Sequence, residues 1–256
     1  MLVGLLFTTA LAAPLPLSAG TYALFMHAAT HARLPVLGER PGASDAWVLV
    51  NIERVSATRA QARQRTCTVS MLGAGERASI RLGPGFVAAM GTKQVEYIMA
   101  SDADGWSVEV DLGTDHIGYD PAVTGGKLPQ RVSDAGVVDH ESDGHPGGTV
   151  IVDVPLFGEA LIFLAQRTHT SLQGRLQSDG SIKGTITGHS LEQRTLGSTN
   201  ALMRVSPRMQ PDPSSSHWWM APVPPGTTCT DLTVVACGDH GQRSGCLDAL
   251  AGPSDR

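Results

Sequence analysis

The chain has 256 residues, a formal charge of -5 and a pI near 6.0. A slightly acidic chain without a basic cluster argues against a nucleic-acid partner and against an anionic membrane surface. Glycine (29 residues) and proline (16 residues) are frequent, which favours strands joined by turns over helices. The length is sufficient for one large β-domain, or for a medium domain with a tail.

Residues 1–13 form an apolar run that ends in the tripeptide Ala10-Leu11-Ala12. An apolar segment before a small-residue A-x-A site is typical of a secretory signal peptide, although the usual basic start is missing here. We therefore expect a signal peptide over residues 1–19, with a hydrophobic β-strand as the alternative. Pro14 and Pro16 interrupt the run before the roughly 20 residues that a transmembrane helix needs. The predicted location is secreted or periplasmic, without a transmembrane segment.

Apolar residues then alternate with polar ones, a pattern typical of strands that bury one face. The residues predicted to share a buried face, strand by strand, are Tyr22, Leu24, Met26 and Ala28; Ala46, Val48, Val50 and Ile52; Cys67, Val69 and Met71; Val95, Tyr97 and Met99; and Trp106, Val108, Val110 and Leu112. Residues 102–105 join the last two strands as a hairpin with a four-residue loop. Residues 84–90 form at most a short helix.

Three carboxylates, Asp139, Glu141 and Asp143, alternate immediately before Gly144. Alternate side chains can converge on one hard cation, and glycine allows the sharp turn that completes an oxygen shell. The stretch resembles the first half of a DxDxDG calcium loop, as in EF-hands and in calcium repeats of extracellular proteins, with Glu141 replacing the second Asp. The resemblance ends after Gly144. Val150 stands where an EF-hand has its closing Glu, and β-branched residues follow, so an EF-hand is excluded.

The resemblance implies a weak, structural Ca²⁺ site, because no bidentate carboxylate closes the loop. A solvated acidic turn is the alternative interpretation. The residues predicted to supply the calcium ligands are Asp139, Glu141, Asp143, His145 and Asp153, with Asp134 as a further candidate.

The clearest local pairing surrounds Ser178-Asp179-Gly180, which we expect to be a three-residue hairpin loop with Gly180 left-handed. In this register Leu176 faces Ile182, Gly174 faces Gly184 and Leu172 faces Ile186. A two-residue turn would instead spoil the apolar face. The facing glycines leave a gap, which permits sharp coiling of the sheet or admits a ligand or a bulky side chain from elsewhere.

About eight to ten short strands joined by turns predict an antiparallel meander that closes on itself, because closure removes exposed edges. The pattern resembles an up-and-down, lipocalin-like β-barrel in architecture only, with a β-sandwich as the alternative. We expect the barrel over residues 20–206. Residues 207–256 form a Pro-rich extension laid over it, in which Trp218 and Trp219 anchor on an apolar surface or form a carbohydrate-stacking platform.

The four cysteines are Cys67, Cys229, Cys237 and Cys246, an even number that agrees with export and two disulfides. Three connectivities are possible. The short, glycine-rich loop makes Cys237–Cys246 the easiest bond, which leaves Cys67–Cys229 to pin the tail to the body. A zinc site of the three C-terminal cysteines with His240 is the alternative, although it lacks a CxxC pair.

These features predict an exported binding or structural protein of the cell envelope or extracellular space, with a small apolar ligand or lipid in the barrel. The competing class is a secreted hydrolase with catalytic residues scattered over several strands. Local motifs such as GxSxG are missing, and His116, His169 and His189 stand singly in strand-like sequence. A wide apolar lumen would favour a carrier, whereas converging His and carboxylate groups would favour an enzyme. A packed lumen would favour an interaction module.

Overall fold

In a computed structural model of the protein, the residues described are 17–34, 38–72, 79–83, 85–154 and 158–232. Most of the expected signal peptide, and the expected Cys237–Cys246 bond, lie outside these ranges. The described residues form an all-β protein with one large antiparallel sheet, as the sequence predicts. None of the described helices is long and apolar enough to cross a membrane.

Eleven strands make up the sheet within the described ranges: β1 Gly20–Leu34, β2 Gly38–Val55, β3 Arg59–Leu72, β4 Ser79–Leu82, β5 Thr92–Asp102, β6 Gly105–Ile117, β7 Gly148–Val154, β8 Gly158–Leu176, β9 Ile182–Ser198, β10 Arg208–Pro211 and β11 His217–Pro222. Among the described residues, the helices between strands are α1 Phe86–Ala89, α2 Pro121–Thr124 and a 3-10 helix, Ala201–Met203. The short helix expected near residue 86 is therefore confirmed.

Eight of the strands form a closed ring in the order β1, β2, β3, β5, β6, β8, β9 and β11, and β11 pairs again with β1. The ring follows chain order, as expected for a meander, and closure satisfies the backbone groups that an open edge would expose. The other three strands extend it. β7 pairs with the first half of β8, β4 pairs with β7, and β10 pairs with the second half of β1.

The alternating apolar residues of the ring strands meet inside the ring. Trp218, Tyr97 and Leu24 are almost completely buried there, and small residues from β3 leave room for them. Leu17, which precedes β1, and residues from all eight ring strands contribute to this core. The strand residues are Tyr22, Leu24, Val48, Val50, Ile52, Ala60, Ala62, Val95, Tyr97, Met99, Val108, Val110, Leu112, Leu172, Ile182, Ile186, Trp218 and Met220. The interior of the ring is therefore occupied by side chains.

The hairpin of β8 and β9 has the register expected from sequence. Leu176 pairs with Ile182, Gly174 with Gly184 and Leu172 with Ile186, and Gly180 has a φ of 80°. The gap at the facing glycines is filled by the indole of Trp218. A Cβ added at either glycine would lie 2.6 Å from an indole atom, and the indole Nε1 donates a hydrogen bond to the Gln173 carbonyl at 3.0 Å. The bulky side chain that the gap can admit comes from β11.

The expected division at residue 206 does not coincide with the end of the sheet. β10 and β11 both lie beyond it, and β11 is an integral strand of the ring. Trp218 is buried in the core, whereas Trp219 lies on the outer face. The flanking prolines and serines resemble a linker in composition, but the strand between them alternates inward and outward residues like the others.

Two details of the strands differ from the sequence predictions. Asp102 pairs directly with Gly105, so the β5–β6 loop has two residues rather than four. Gly105 has a φ of 115°, and the Asp102 carboxylate accepts a hydrogen bond from the Asp104 amide, which together allow the tighter turn. In β3, Cys67 is the extra residue of a β-bulge and contacts the outer apolar cluster, away from the ring core.

The predicted disulfide between Cys67 and Cys229 is present, with a Cα–Cα distance of 5.0 Å. It holds the chain that follows β11 against the outer face of the sheet. Val223 and Leu232 of this chain pack with Trp47 in an apolar cluster outside the ring. The bond therefore fixes a cover over apolar surface that would otherwise face water.

The double variant Cys67→Ala/Cys229→Ala should lose roughly 2 to 5 kcal/mol of unfolding free energy, because the bond closes a long loop in the unfolded chain. Urea denaturation measures the loss. Wild-type protein unfolded in the presence of a reductant should show a loss of similar size. Recovery of four free thiols in non-reducing peptide maps of the wild type would contradict the pairing.

Gly174→Ala should destabilise the protein by about 1–3 kcal/mol, because the new methyl group meets the Trp218 ring and neighbouring backbone. Gly197→Ala is the matched control. It lies on the adjacent strand, and its new methyl would meet neighbours only at 3.4 Å, an ordinary contact distance. Denaturant midpoints should fall for Gly174→Ala and change little for Gly197→Ala. Equal effects would argue against a tightly filled gap.

Candidate functional site

The acidic loop lies in the long connection between β6 and β7 and turns sharply, as the sequence predicts. Gly144 has a φ of 83° and Ser142 a φ of 57°. The Asp139 carboxylate accepts hydrogen bonds from the amides of Asp143, at 3.3 Å, and Gly144, at 2.9 Å. The Asp143 carboxylate accepts one from the His145 amide at 2.9 Å. These two carboxylates satisfy the backbone of their own turn.

The Glu141 side chain reaches the start of β7. Its Oε1 accepts a hydrogen bond from the Thr149 amide at 2.7 Å. Glycines beside it make the space, because a Cβ at Gly83 would lie 2.6 Å from Oε2 and a Cβ at Gly85 would lie 2.6 Å from the Glu141 carbonyl oxygen. Oε2 and the Thr149 hydroxyl are both buried without a hydrogen-bond partner among the described residues.

The remaining predicted calcium ligands lie elsewhere. The His145 ring stacks on Phe163 with centroids 4.9 Å apart. Asp153 is exposed near the far end of β7, opposite Ser79. Asp134 accepts hydrogen bonds from two amides of its own turn. Within the described ranges, no three or more His, Cys, Asp or Glu side chains are grouped so that they could hold a metal ion. Calcium binding by this loop stays a prediction.

The pKa values of Asp139 and Glu141 move in opposite directions. Desolvation by itself raises the pKa of Asp139, but hydrogen bonds from four backbone amides outweigh it and lower the pKa. For Glu141, desolvation is the largest cause, and the nearby charges of Asp143 and Asp139 add to it, so that its pKa rises to about 7 despite the Thr149 amide. Glu141 is therefore largely protonated below neutral pH.

Glu141→Gln should remove part of the pH dependence of stability. The pKa of Glu141 is about 7 in the folded protein and near 4.5 in the unfolded chain, so the folded state binds the proton more tightly. The stability that this proton contributes is present below pH 4.5 and is lost as the pH rises through 7. The neutral glutamine avoids that loss. With the partial exposure of Glu141 discounted, the variant should exceed the wild type by about 1–2 kcal/mol at pH 8.

Thermal or urea unfolding between pH 4 and 8 measures the difference, and Asp153→Asn is the matched control, since that carboxylate is exposed on β7. The control should follow the wild-type pH profile. A Glu141→Gln profile parallel to the wild type across this range would contradict the buried, protonated carboxyl.

A second cluster lies along an open surface groove of about 290 Å³, on the outer side of β5, β6, β8 and β9. The groove is lined by Ile98, Glu109, Val110, Asp111, Ser171, Leu172, Gln173 and Thr187. His169 borders it, with its Nε2 3.4 Å from Ser171 Oγ and 3.5 Å from Asp111 Oδ1. A Ser-His-Asp relay needs the carboxylate and the hydroxyl on different ring nitrogens. Here both approach the same nitrogen, so the cluster lacks the geometry of a hydrolase triad.

The structure also brings together residues that the sequence did not single out. His217, His27 and Asp45 lie side by side across β11, β1 and β2, in direct register. His27 Nδ1 is 2.6 Å from Asp45 Oδ1, and the two histidine rings stack with centroids 5.0 Å apart. No local motif could reveal this cluster, because its members come from three separate strands.

No known protein family, curated protein or solved structure matches the chain. Evidence for function therefore comes from the side chains themselves. The acidic loop, the groove beside His169, the two-histidine cluster and the filled ring are the features that bear on it.

Proposed function

We propose that the protein is an exported binding or structural component of the cell envelope or extracellular space. In this proposal the ring is a small up-and-down β-barrel that makes its contacts through its outer surface. The observation that carries the proposal is the filled interior, where Trp218, Tyr97 and Leu24 occupy the space that a carrier would leave for its ligand. Because side chains fill the interior, we do not propose the small apolar ligand that the sequence led us to expect inside the barrel.

The polar groups inside the ring support this interpretation. The Gln64 side-chain amide donates a hydrogen bond to the Tyr97 hydroxyl at 2.6 Å, and that hydroxyl donates one to the sulfur of Met220 at 3.5 Å. Burial raises the pKa of Tyr97, and the bond from Gln64 offsets this only in part. These groups are satisfied by one another and link β3 to β5 and, across the ring, β5 to β11. A ligand site would instead present unsatisfied groups to an open space.

Export is supported by the Cys67–Cys229 disulfide, because structural disulfides persist in oxidising compartments and are rare in the cytosol. The expected signal peptide points to the same location. Trp218 fixes the closure of the ring, and the disulfide fixes the chain that covers its outer face. Such a rigid ring suits a binding or structural role outside the cytosol.

We place these contacts on the outer face of β1, β2 and β11, at the aromatic side chains that the chain after β11 leaves partly exposed. Trp47 lies at its centre, with ring centroids 5.1 Å from Phe25 and 6.1 Å from Trp219. Phe25 and Trp219 are only partly buried. Aromatic side chains that keep one side exposed are typical of binding surfaces, because they offer large contact area with little loss of side-chain entropy.

Calcium at the acidic loop is a separate part of the proposal. Binding would require Asp139 to exchange amide donors for the ion, and Glu141 to leave Thr149, so the affinity should lie near the ~0.1 to 1 mM of extracellular modules. Calorimetric heat at millimolar calcium, with a rise in melting temperature that Asp143→Ala abolishes, would support it. Without either signal the loop is an acidic turn.

Native mass spectrometry of the protein purified from fractionated cells of its own host tests the main proposal. We expect the protein outside the cytosol, with its Cys67–Cys229 bond formed and without a small apolar molecule bound one to one. A cytosolic protein with reduced cysteines would contradict export. A lipid or other apolar molecule that stays bound stoichiometrically would contradict the filled interior.

A further inference from the structure

We propose that His27 and His217 form a two-histidine binding site for a divalent transition-metal ion, represented by Zn²⁺, on the outer face of the ring. The two residues are directly opposed on the antiparallel strands β1 and β11. Opposed side chains on neighbouring strands project to the same face and lie close together. Both imidazoles reach solvent, since the His27 side chain is 20% exposed and His217 is exposed.

The separation of the rings suits a shared ion. With Zn–N bonds of about 2.0–2.1 Å, two imidazoles bound at roughly 90–110° around one ion have centroids about 4.5–5.2 Å apart. The His27 and His217 centroids are 5.0 Å apart, with ring planes inclined at 25°. Because the rings are stacked, their nitrogens do not converge as they stand, and binding requires the exposed His217 ring to rotate about its side-chain bonds toward an ion beside His27.

Asp45 prepares His27 for this role. Its carboxylate lies 2.6 Å from His27 Nδ1, which places the proton on Nδ1 and leaves the Nε2 lone pair available. A carboxylate bonded to the second ring nitrogen is the usual support of a metal-binding histidine, because it fixes the tautomer and raises ligand basicity. Asp45 thus acts as a positioning residue, and the ion is held by the two imidazoles alone.

Two nitrogen ligands favour Zn²⁺, Ni²⁺ and Cu²⁺ over the hard cations Mg²⁺ and Ca²⁺. With only two protein ligands, water or a partner's side chain completes the coordination. Metal binding at this position would also stabilise the fold. The His27–His217 pair is the last one along the β1–β11 seam, so a shared ion would cross-link the strand that closes the ring to its neighbour.

The test is thermal unfolding of the untagged full-length protein, with the disulfide intact, in metal-free buffer and with increasing Zn²⁺. The melting temperature should rise by about 3–5 °C at a tenfold excess of free ion over Kd. Mg²⁺ at the same concentrations should leave it unchanged. His217→Gln should abolish the rise, and Asp45→Asn should weaken apparent affinity by about 10-fold or more.

His31→Gln is the matched control, since His31 lies on β1 near Glu39 and Asp212 without an opposed histidine. It should keep the full response to Zn²⁺. Calorimetry should report one ion per wild-type chain and none for this site in His217→Gln. An unchanged wild-type melting temperature, or an equal rise in His217→Gln, would overturn the proposal. The second outcome would place the ion elsewhere, for instance at the C-terminal cysteines.

Discussion

The insertion of Trp218 between Gly174 and Gly184 is the contact on which the rest of the structure depends. Without side chains of their own, the two glycines let the indole approach the backbone of β8 and β9, where its Nε1 bonds to the Gln173 carbonyl. The contact fixes β11 beside β9 and completes the ring. Ring closure removes the two open edges that the sheet would otherwise have. The packing of one tryptophan against two glycines therefore stabilises the entire sheet.

The same contact determines which residues reach the outer surface. Side chains alternate along a strand, so an inward Trp218 makes His217 and Trp219 outward. The register then places His217 opposite His27 and Trp219 opposite Phe25. The chain that leaves β11 runs over the outer face toward Cys229, which explains how a disulfide to Cys67 can form beside the aromatic cluster. The proposed metal pair and the proposed contact surface both follow from the register of one strand.

Sequence periodicity predicted those parts of the fold in which local patterns and tertiary packing agree. Strands with large apolar residues at every second position, such as Tyr22 and Leu24, were identified, and the β8–β9 register followed from its loop and apolar face. The buried side of β3 was missed because Ala60, Ala62 and Gln64 are small or polar. They are buried because larger residues from other strands fill the ring around them, and the sequence of β3 by itself does not show these neighbours.

The role of the acidic loop could be predicted only in part, because the sequence does not show which backbone amides the folded chain brings to each carboxylate. The alternation of Asp139, Glu141 and Asp143 predicts convergence only if the backbone leaves their oxygens free. In the fold, amides of the turn use two of these carboxylates, and the Thr149 amide draws the third inward. Neighbours in sequence could indicate the turn but not how the carboxylates would be used.

Hydrogen exchange of the β11 amides tests the central claim most directly, because exchange reports whether a strand opens with the core or independently of it. With the disulfide intact, the peptide that contains Trp218–Met220 should be protected as strongly as the peptide that contains Val48–Val50 of β2. Rapid exchange of the β11 peptide while β2 stays protected would show that β11 only covers the sheet. That result would contradict a ring closed by Trp218.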